Sequence, residues 1–390
     1  VTASITLKKH EDKRILSGHL WVFSNEIATI DGEPKSGDIV TLRAHGGKPL
    51  GKGFYHPNSL IAFRLLTKGE EEIDFHFFQA RIERALALRT LLYPGSKTFR
   101  LVYGESDLLP GLIIDKYNHH LCVQAFSAGM DRRMTLICDV LESLLKPKGI
   151  VERNESQTRT LEGLELRSGL VRGEIAPVTI EEHGLKYEVD LLEGQKTGFF
   201  LDQRENRFAI RRYTKGAHVL DCFSNDGGFA LNAAAGGAKK VTAVDSSATA
   251  MKHTFANAAL NELSARVSCE TADAFEWLAK AVADGKQFEV INLDPPSFAK
   301  NRKSVPVAKK GYRDLHSLAM KLLPPGGILA TSSCSYHIEE PVFAEIVQHA
   351  AVAAGRTAQL LEWRGASPDH PILPAMPETR YLKFGIFRIE

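Results

Sequence analysis

Several features are scarce in this chain, and each scarcity removes a class of protein. Its 390 residues hold five cysteines, Cys122, Cys138, Cys222, Cys269 and Cys334, widely spaced and without a C-x-x-C. A disulfide framework and a zinc site are therefore not expected, and no metal is assigned. Unpaired thiols point to a reducing cytoplasm. So does the opening V-T-A-S-I-T-L-K-K-H, which lacks the apolar core of a signal peptide. The first residue is Val, so the initiator Met was removed or the numbering starts after it. No apolar run reaches the length of a membrane span, so no membrane partner is expected. Net charge is only +2, which leaves any polyanion site to local clustering. Internal repeats and low-complexity tracts are absent.

Composition is that of a globular protein, 44% hydrophobic and 25% charged, and the length exceeds one ordinary core, so two or three domains are expected. Residues 1–73 read as short strands at 5–7, 21–23, 38–44, 50–55 and 61–66, broken by turn residues at 32–35, 46–47 and 56–58. A small β-barrel or half-barrel is implied. Its basic cluster of Lys8, Lys9, Lys13 and Arg14 beside His10 suits either a solvated face or RNA contact. Residues 74–177 form an α+β domain. Phe75, Phe78, Ile82, Ala85 and Leu86 make one face of a helix over 74–92, followed by strands at 100–103, 111–115 and 120–126, a helix over 132–145 and a strand at 149–153. Gly104-Glu105-Ser106-Asp107 reads as a turn with no evident chemistry.

Residues 178–390 open with a hairpin over 178–192, His183-Gly184 at its tip. Gln195-Lys196-Thr197-Gly198 follows, and Asp202 with Glu205 has capping-box spacing. A helix starting there, preceded by Lys-Thr-Gly, reads either as an anion or carboxylate site or as a capped helix and nothing more. From His218 strands and helices alternate, which specifies a parallel sheet with helices on both faces. A Pro-rich loop over 368–377 joins the last two strands without a helix and allows an antiparallel final strand.

The chemistry concentrates at the strand ends of this third region. The run I-N-L-D-P-P-S-F-A-K over 291–300 ends a buried strand in an acid and two prolines. Pro295 and Pro296 cannot continue the ladder, so Asp294 stands at the carboxyl edge of the sheet, where ligands bind. This is either a strand end with a Pro-rich turn or a grip on a flat heterocycle, with Asp294 and turn carbonyls on its edge and Phe298 on its face. The first turn, D-C-F-S-N-D-G-G-F, lacks G-x-G-x-x-G, which argues against a dinucleotide pyrophosphate. Ser224, Asn225 and Asp226 suit a cationic or zwitterionic ligand better. Asp221, Asp245 and Asp273 follow the first three strands, Asp245 placed for ribose hydroxyls and Asp273 for an adenine amino group. With D-P-P at the fourth strand, these acids make the pattern of class I S-adenosylmethionine-dependent methyltransferases. S-adenosylhomocysteine would be the product. The candidate cofactor set is Thr197, Gly198, Phe200, Asp202, Arg204, Asp221, Phe223, Ser224, Gly227, Gly228, Asp245, Ser246, Asp273, Ala274 and Asp294.

One strand further, T-S-S-C-S-Y places Cys334 just past an apolar strand, beside Asp294 in any sheet of this topology. A buried cysteine is the ordinary reading; the polar neighbours and the binding edge favour a nucleophile. Carbon 5 of a pyrimidine is a poor nucleophile until a thiolate adds at carbon 6. Asp294 sharing a proton with N3 would stabilise that adduct. Amino-group methylation is the rival; it needs no cysteine and prefers an aromatic directly after the prolines, where Ser297 stands. A third reading is a non-catalytic RNA-binding or assembly factor. Cys222 lies inside its strand and reads as packing. The stretch 300–313 carries Lys300, Arg302, Lys303, Lys309, Lys310 and Arg313 with no acid among them, and reads as a phosphate-gripping loop or a solvated one.

Taken together, Q-K-T-G-F-F-L-D-Q-R, D-C-F-S-x-x-G-G-F, L-D-P-P-x-F, the S-C-S at Cys334 and E-S-D-x-L-P-G resemble the RlmI-type enzymes, large-subunit ribosomal RNA cytosine-C5 methyltransferases. The resemblance covers essentially the whole chain. It implies a PUA domain over 1–73, a central α+β domain over 74–177, and a Rossmann-like methyltransferase domain over 178–390 with a seven-stranded sheet and an antiparallel last strand. It also implies that Cys334 is the single nucleophile. Other RNA cytosine-C5 enzymes carry a second cysteine after the motif-four proline, where Pro296 and Ser297 stand here, so another base must remove the C5 proton. Family members tend to be homodimers, which nothing in the sequence itself shows.

Overall fold

The computed structural model describes residues 3–194, 197–299 and 301–390, so Lys300, Gln195 and Lys196 of the quoted motifs lie outside the described residues. Two compact units emerge. The first takes the residues up to Ile180 with Val189–Leu201 and Pro368–Thr379; the second takes Glu181–Glu188, Asp202–Ser367 and Arg380–Glu390.

In the first unit, β1 (Ser4–Leu7), α1 (Lys13–Leu16), β2 (Trp21–Phe23), β3 (Ile27–Asp31), β4 (Ile39–Arg43), β5 (Pro49–Tyr55) and β6 (Ile61–Thr67) supply a six-stranded sheet of order β2-β6-β5-β4-β1-β3. A Cβ on Gly51 or Gly53 of β5 would lie 2.1 Å from a carbonyl oxygen of β6, so only glycine admits this approach. Strand β3 escaped the pattern reading because it is a sheet edge with four of five residues exposed, and so lacks alternation. In the basic cluster, Arg14 pairs with Glu26 at 2.8 Å and Lys8 donates to the Asn25 carbonyl at 2.7 Å. Lys9 and Lys13 are exposed.

The unit continues with α2 (Phe75–Leu92), β7 (Thr98–Tyr103), β8 (Leu112–Tyr117), β9 (His120–Ala125), α3 (Ala128–Asp131), α4 (Met134–Leu145), β10 (Gly149–Asn154) and β11 (Arg167–Gly173), with sheet order β11-β10-β9-β8-β7. Asp74 caps α2 by accepting from the Phe77 N–H at 3.0 Å. The G-E-S-D stretch is a single 3₁₀ turn with a structural task. Asp107 takes both arms of the buried Arg89 guanidinium at 2.5 and 2.7 Å and the Tyr103 N–H at 2.6 Å. Arg89 also donates to the Asp369 carbonyl, and Met376 joins the core of the first sheet. The Pro-rich stretch is thus part of the first unit, beyond its expected task of joining two strands.

The hairpin β12 (Val178–Glu182) and β13 (Leu185–Val189) turns through His183 and Gly184, both at positive φ, as a two-residue hairpin turn requires.

The second unit runs α5 (Arg204–Ala209), β14 (His218–Cys222), α6 (Gly228–Ala235), β15 (Lys240–Asp245), α7 (Ala248–Leu260), β16 (Val267–Thr271), α8 (Ala274–Ala283), β17 (Val290–Leu293), α9 (Val305–Lys321), β18 (Gly327–Ser333), α10 (Glu340–Ala353), β19 (Ala358–Arg364) and β20 (Lys383–Ile389). The sheet order is β16-β15-β14-β17-β18-β20-β19, parallel except for β20, which inserts antiparallel between β18 and β19. Strand β17 is buried at every position, as a central strand covered on both faces must be. No helix among the described residues is long and apolar enough to cross a membrane.

Two local expectations are corrected. Asp202 does not cap α5, which starts at Arg204 with Gln203 at its N-cap and no side-chain cap bond. The basic stretch is not a loop either: Arg302–Ser304 is a 3₁₀ turn and α9 begins at Val305, with Pro306 in its first turn. Ala308, Tyr312, Leu315 and Ala319 recur at helical spacing and are buried, which drives the helix. Acids from outside the run meet it: Lys310 pairs with Asp314 at 3.0 Å, Arg313 with Asp314 at 3.4 Å and Lys309 with Glu345 at 3.8 Å.

Candidate active site

The carboxyl edge of the seven-stranded sheet is built around β14. Asp221 is 1% exposed and saturated with donors: Ser224 Oγ at 2.6 Å and the Ala230 N–H at 3.0 Å on Oδ2, and Asn292 Nδ2 from the neighbouring strand at 2.8 Å on Oδ1. Burial pushes its carboxyl up to about 7 against these bonds, with the Asp294 charge adding to the rise. Asp221 therefore braces the turn that follows. That turn holds Phe223 at φ 63°, Asn225 at φ 49° and Gly227 at φ 80°. Two non-glycine residues in the left-handed region are strained, and such strain gathers at ligand clamps. A Cβ on Gly228 would lie 2.5 Å from Arg207 Cδ, so the turn fits closely against α5.

Asp245 ends β15 and accepts the Asn225 N–H at 3.1 Å and the Ser247 N–H at 2.9 Å, one on each oxygen; Ser246 between them is exposed. Each oxygen keeps acceptor capacity for a hydroxyl. Asp273 is exposed and caps α8 through Oδ1, which takes the Phe275 and Glu276 N–H groups; Oδ2 accepts from none of the described residues. Ala274 beside it is buried. Asp226, which His253 contacts at 3.1 Å, is raised by burial.

Asp294 follows β17. Gln203, 3% exposed, donates from one Nε2 to Asp294 Oδ1 at 3.0 Å and to Ser332 Oγ at 3.1 Å, while its Oε1 accepts from Asn206 at 2.7 Å. A second bridge lies beyond the prolines: Ser297 Oγ shares a 3.1 Å hydrogen bond with Ser335 Oγ, which also accepts the Ala299 N–H. Tyr312 of α9 closes the set. Its hydroxyl accepts from Ser333 Oγ at 3.0 Å and shares a 3.1 Å bond with Ser335 Oγ. Ser333 and Ser335 are fully buried, whereas Cys334 between them is half-exposed. The turns carrying Asp294 and Cys334 are thus joined on two sides. Pro295 is buried and Pro296 exposed; Phe298 is half-buried, its ring centroid 4.6 Å from that of Tyr312.

Asp202 is buried, accepts from the Tyr381 hydroxyl, and its carbonyl accepts from the Ser367 N–H at 2.8 Å. Arg204 lies in a buried ion cluster with Glu182 and Arg207. Thr197, Gly198 and Phe200 belong to the first unit, where the Thr197 hydroxyl donates to Asp115 at 2.6 Å. Cys122, Cys138 and Cys222 are buried and pushed up by desolvation, Cys138 to about 11; Cys269 is half-exposed and also raised.

Residues 5–68 match the model of a PUA-like domain, and residues 167–372 match that of the S-adenosylmethionine-dependent methyltransferases. A protein of Tolumonas auensis named ribosomal RNA large subunit methyltransferase I is 42% identical over 98% of both chains. This chain belongs to the ribosomal RNA large subunit methyltransferase I family. Another member of the family, from Aeromonas salmonicida, is 43% identical over 97% of both chains. The family is S-adenosylmethionine-dependent, and the half-buried Asp245 and the exposed Asp273, each with acceptor capacity to spare, fit that cofactor's ribose and adenine donors. The fold also matches a methyltransferase structure solved with SAH, at TM-score 0.86 and 21% identity over 99% of both chains. In this family fold the bridging residues Gln203, Asn292, Tyr312 and Lys383 were not singled out from the sequence. For Lys383 a signal existed: a lysine opening the apolar run F-G-I-F.

Proposed function

We propose that this chain forms 5-methylcytosine in ribosomal RNA of the large subunit, through a Cys334 adduct at carbon 6 of the base. The RNA class is supported by the names of the full-length relatives. The chemistry is supported by one observation above the rest: a half-exposed cysteine held between two buried, tethered serines at the sheet edge next to D-P-P. In this reading the Cys334 sulfur bonds carbon 6, the ring takes the electron pair toward N3, and a proton shared between Asp294 and N3 stabilises the adduct. S-adenosylmethionine, when bound, supplies the sulfonium methyl carbon that the enamine carbon 5 attacks. The C5 proton then leaves to a base, the C5–C6 double bond reforms, and the sulfur departs as thiolate.

Asp245 would take the cofactor's ribose hydroxyls and Asp273 its adenine amino group, while Asp221 supports the strained turn of Phe223, Ser224, Gly227 and Gly228. Phe298 would cover the base. Arg302, Lys303 and Lys310 are exposed beside the site and would take phosphates. The test uses Cys334→Ala with labelled cofactor and ribosomal RNA, with mass spectrometry of the nucleosides. Loss of 5-methylcytosine in the variant is expected. Undiminished transfer, or an amino-methylated nucleoside from the unaltered chain, would mean N-methylation instead; RNA and cofactor binding without turnover would mean a non-catalytic assembly factor.

A further inference from the structure

Lys383 opens β20 and is 3% exposed. A buried ammonium ordinarily faces a carboxylate, because desolvating it is costly without one. Among the described residues no acid forms an ion pair with Lys383. Its Nζ donates to two carbonyl oxygens, Ser335 at 2.7 Å and Tyr381 at 2.6 Å. The acid whose field reaches it, Glu340 at the start of α10, is bound to Arg380. Ser333 and Lys383 are paired residues in the β18–β20 ladder, so the amine is tied by its backbone register and by the Ser335 carbonyl to both neighbours of Cys334.

We propose that Lys383 is the counter-charge that keeps Cys334 a thiolate, a positioning residue for the nucleophile. This rests on the reading of Cys334 as the attacking sulfur. The thiol gives its proton to solvent, and the ammonium keeps its own and faces the sulfur anion. Among the described residues, Cys334, Glu340 and Arg380 act on Lys383, and Cys334 acts on Tyr312 of α9. Burial pushes the Lys383 ammonium down to about 8, with Cys334 and Glu340 holding it up and Arg380 lowering it further. At neutral pH it still carries its charge. A buried cation with no carboxylate of its own costs stability, and a nearby sulfur anion offsets that cost.

The test is the pH dependence of iodoacetamide alkylation at Cys334 in the full chain, read on the Cys334 peptide by mass spectrometry so that Cys269 does not interfere. A midpoint at least one unit below the free-thiol value of about 8.5 is expected. Lys383→Met should raise that midpoint by about one unit or more and slow alkylation at pH 7 by roughly tenfold, and Lys383→Arg should restore it. A midpoint at or above that of a free thiol in the unaltered chain overturns the proposal without any variant. An unmoved midpoint in Lys383→Met overturns it as well. Cys334→Ala that still transfers methyl would sink the nucleophile and leave the alkylation profile standing, so the two failures read differently.

Discussion

Tyr312→Phe removes one oxygen from the site and little else. The ring would keep its contacts with Phe298 and Phe343, at centroid distances of 4.6 and 5.7 Å. What disappears is the hydroxyl that accepts from Ser333 and bonds Ser335, the two residues flanking Cys334. Ser335 Oγ still has Ser297 and Ala299, and Ser333 Oγ still accepts the Ser335 N–H at 3.3 Å, but the buried Ser333 hydroxyl proton loses its acceptor. The cost is therefore that of two hydrogen bonds with one buried donor left unpaired, about 2–4 kcal/mol. For a unit of this size each kcal/mol lowers Tm by about 2–4 °C. Thermal unfolding should thus shift down by roughly 4–16 °C on these figures. Methyl transfer at saturating substrate should fall by about tenfold or more, because the turn aiming Cys334 loses a tether. A lowered Tm with unchanged transfer would refute the link between this hydroxyl and the reacting sulfur.

Two other perturbations test the same edge. Gln203→Leu removes the amide that joins Asp294 to Ser332, so kcat should fall by about tenfold or more while cofactor affinity, measured by calorimetry, changes little; an unchanged kcat would count against Gln203 as the residue that positions Asp294. Asp221, raised to about 7 by burial, binds its proton more tightly folded than unfolded. Its contribution is present at low pH and is lost as pH rises from about 4 through 7, with a slope of at most ~1.4 kcal/mol per unit. Urea midpoints of Asp221→Asn and the unaltered chain should therefore diverge across that window and run parallel above it, and parallel curves throughout would refute the raised carboxyl.

Much of the second unit could be read from the chain because its signals are local. A buried parallel strand is a short apolar run, acids mark the ends of the first four, at Asp221, Asp245, Asp273 and Asp294, and the strand–helix alternation specifies the sheet. The antiparallel final strand was anticipated because no helix separates it from its neighbour; its insertion between β18 and β19 was not. The failures share a cause. The Asp202 and Glu205 spacing matches a capping box, yet Asp202 instead takes the Tyr381 hydroxyl, 179 residues away. The stretch 300–313 contains no acid, yet Asp314 and Glu345 reach it once α9 forms and packs on α10. Gln203 and Tyr312 look ordinary in sequence, since their partners are set by strand order alone.

The half-exposed Cys334 is itself a product of such distant pairings. T-S-S-C-S leaves the sheet with four hydroxyls, and a strand end so rich in hydroxyls would ordinarily open to water. Here Ser332 is held by Gln203, Ser333 by Tyr312, and Ser335 by Tyr312 and Ser297, while Thr331 is met by His316 at 2.7 Å. Every hydroxyl in the run has a protein partner, so the polar groups stay buried without cost in unmade bonds. Burial lowers the His316 imidazole to about 3, so it stays neutral and brings no second cation near the sulfur. Cys334 cannot compete for these partners, because a thiol is a weak donor and a weak acceptor. It is the one side chain of the five left half-exposed, and the same bonds that bury its neighbours fix its backbone in place.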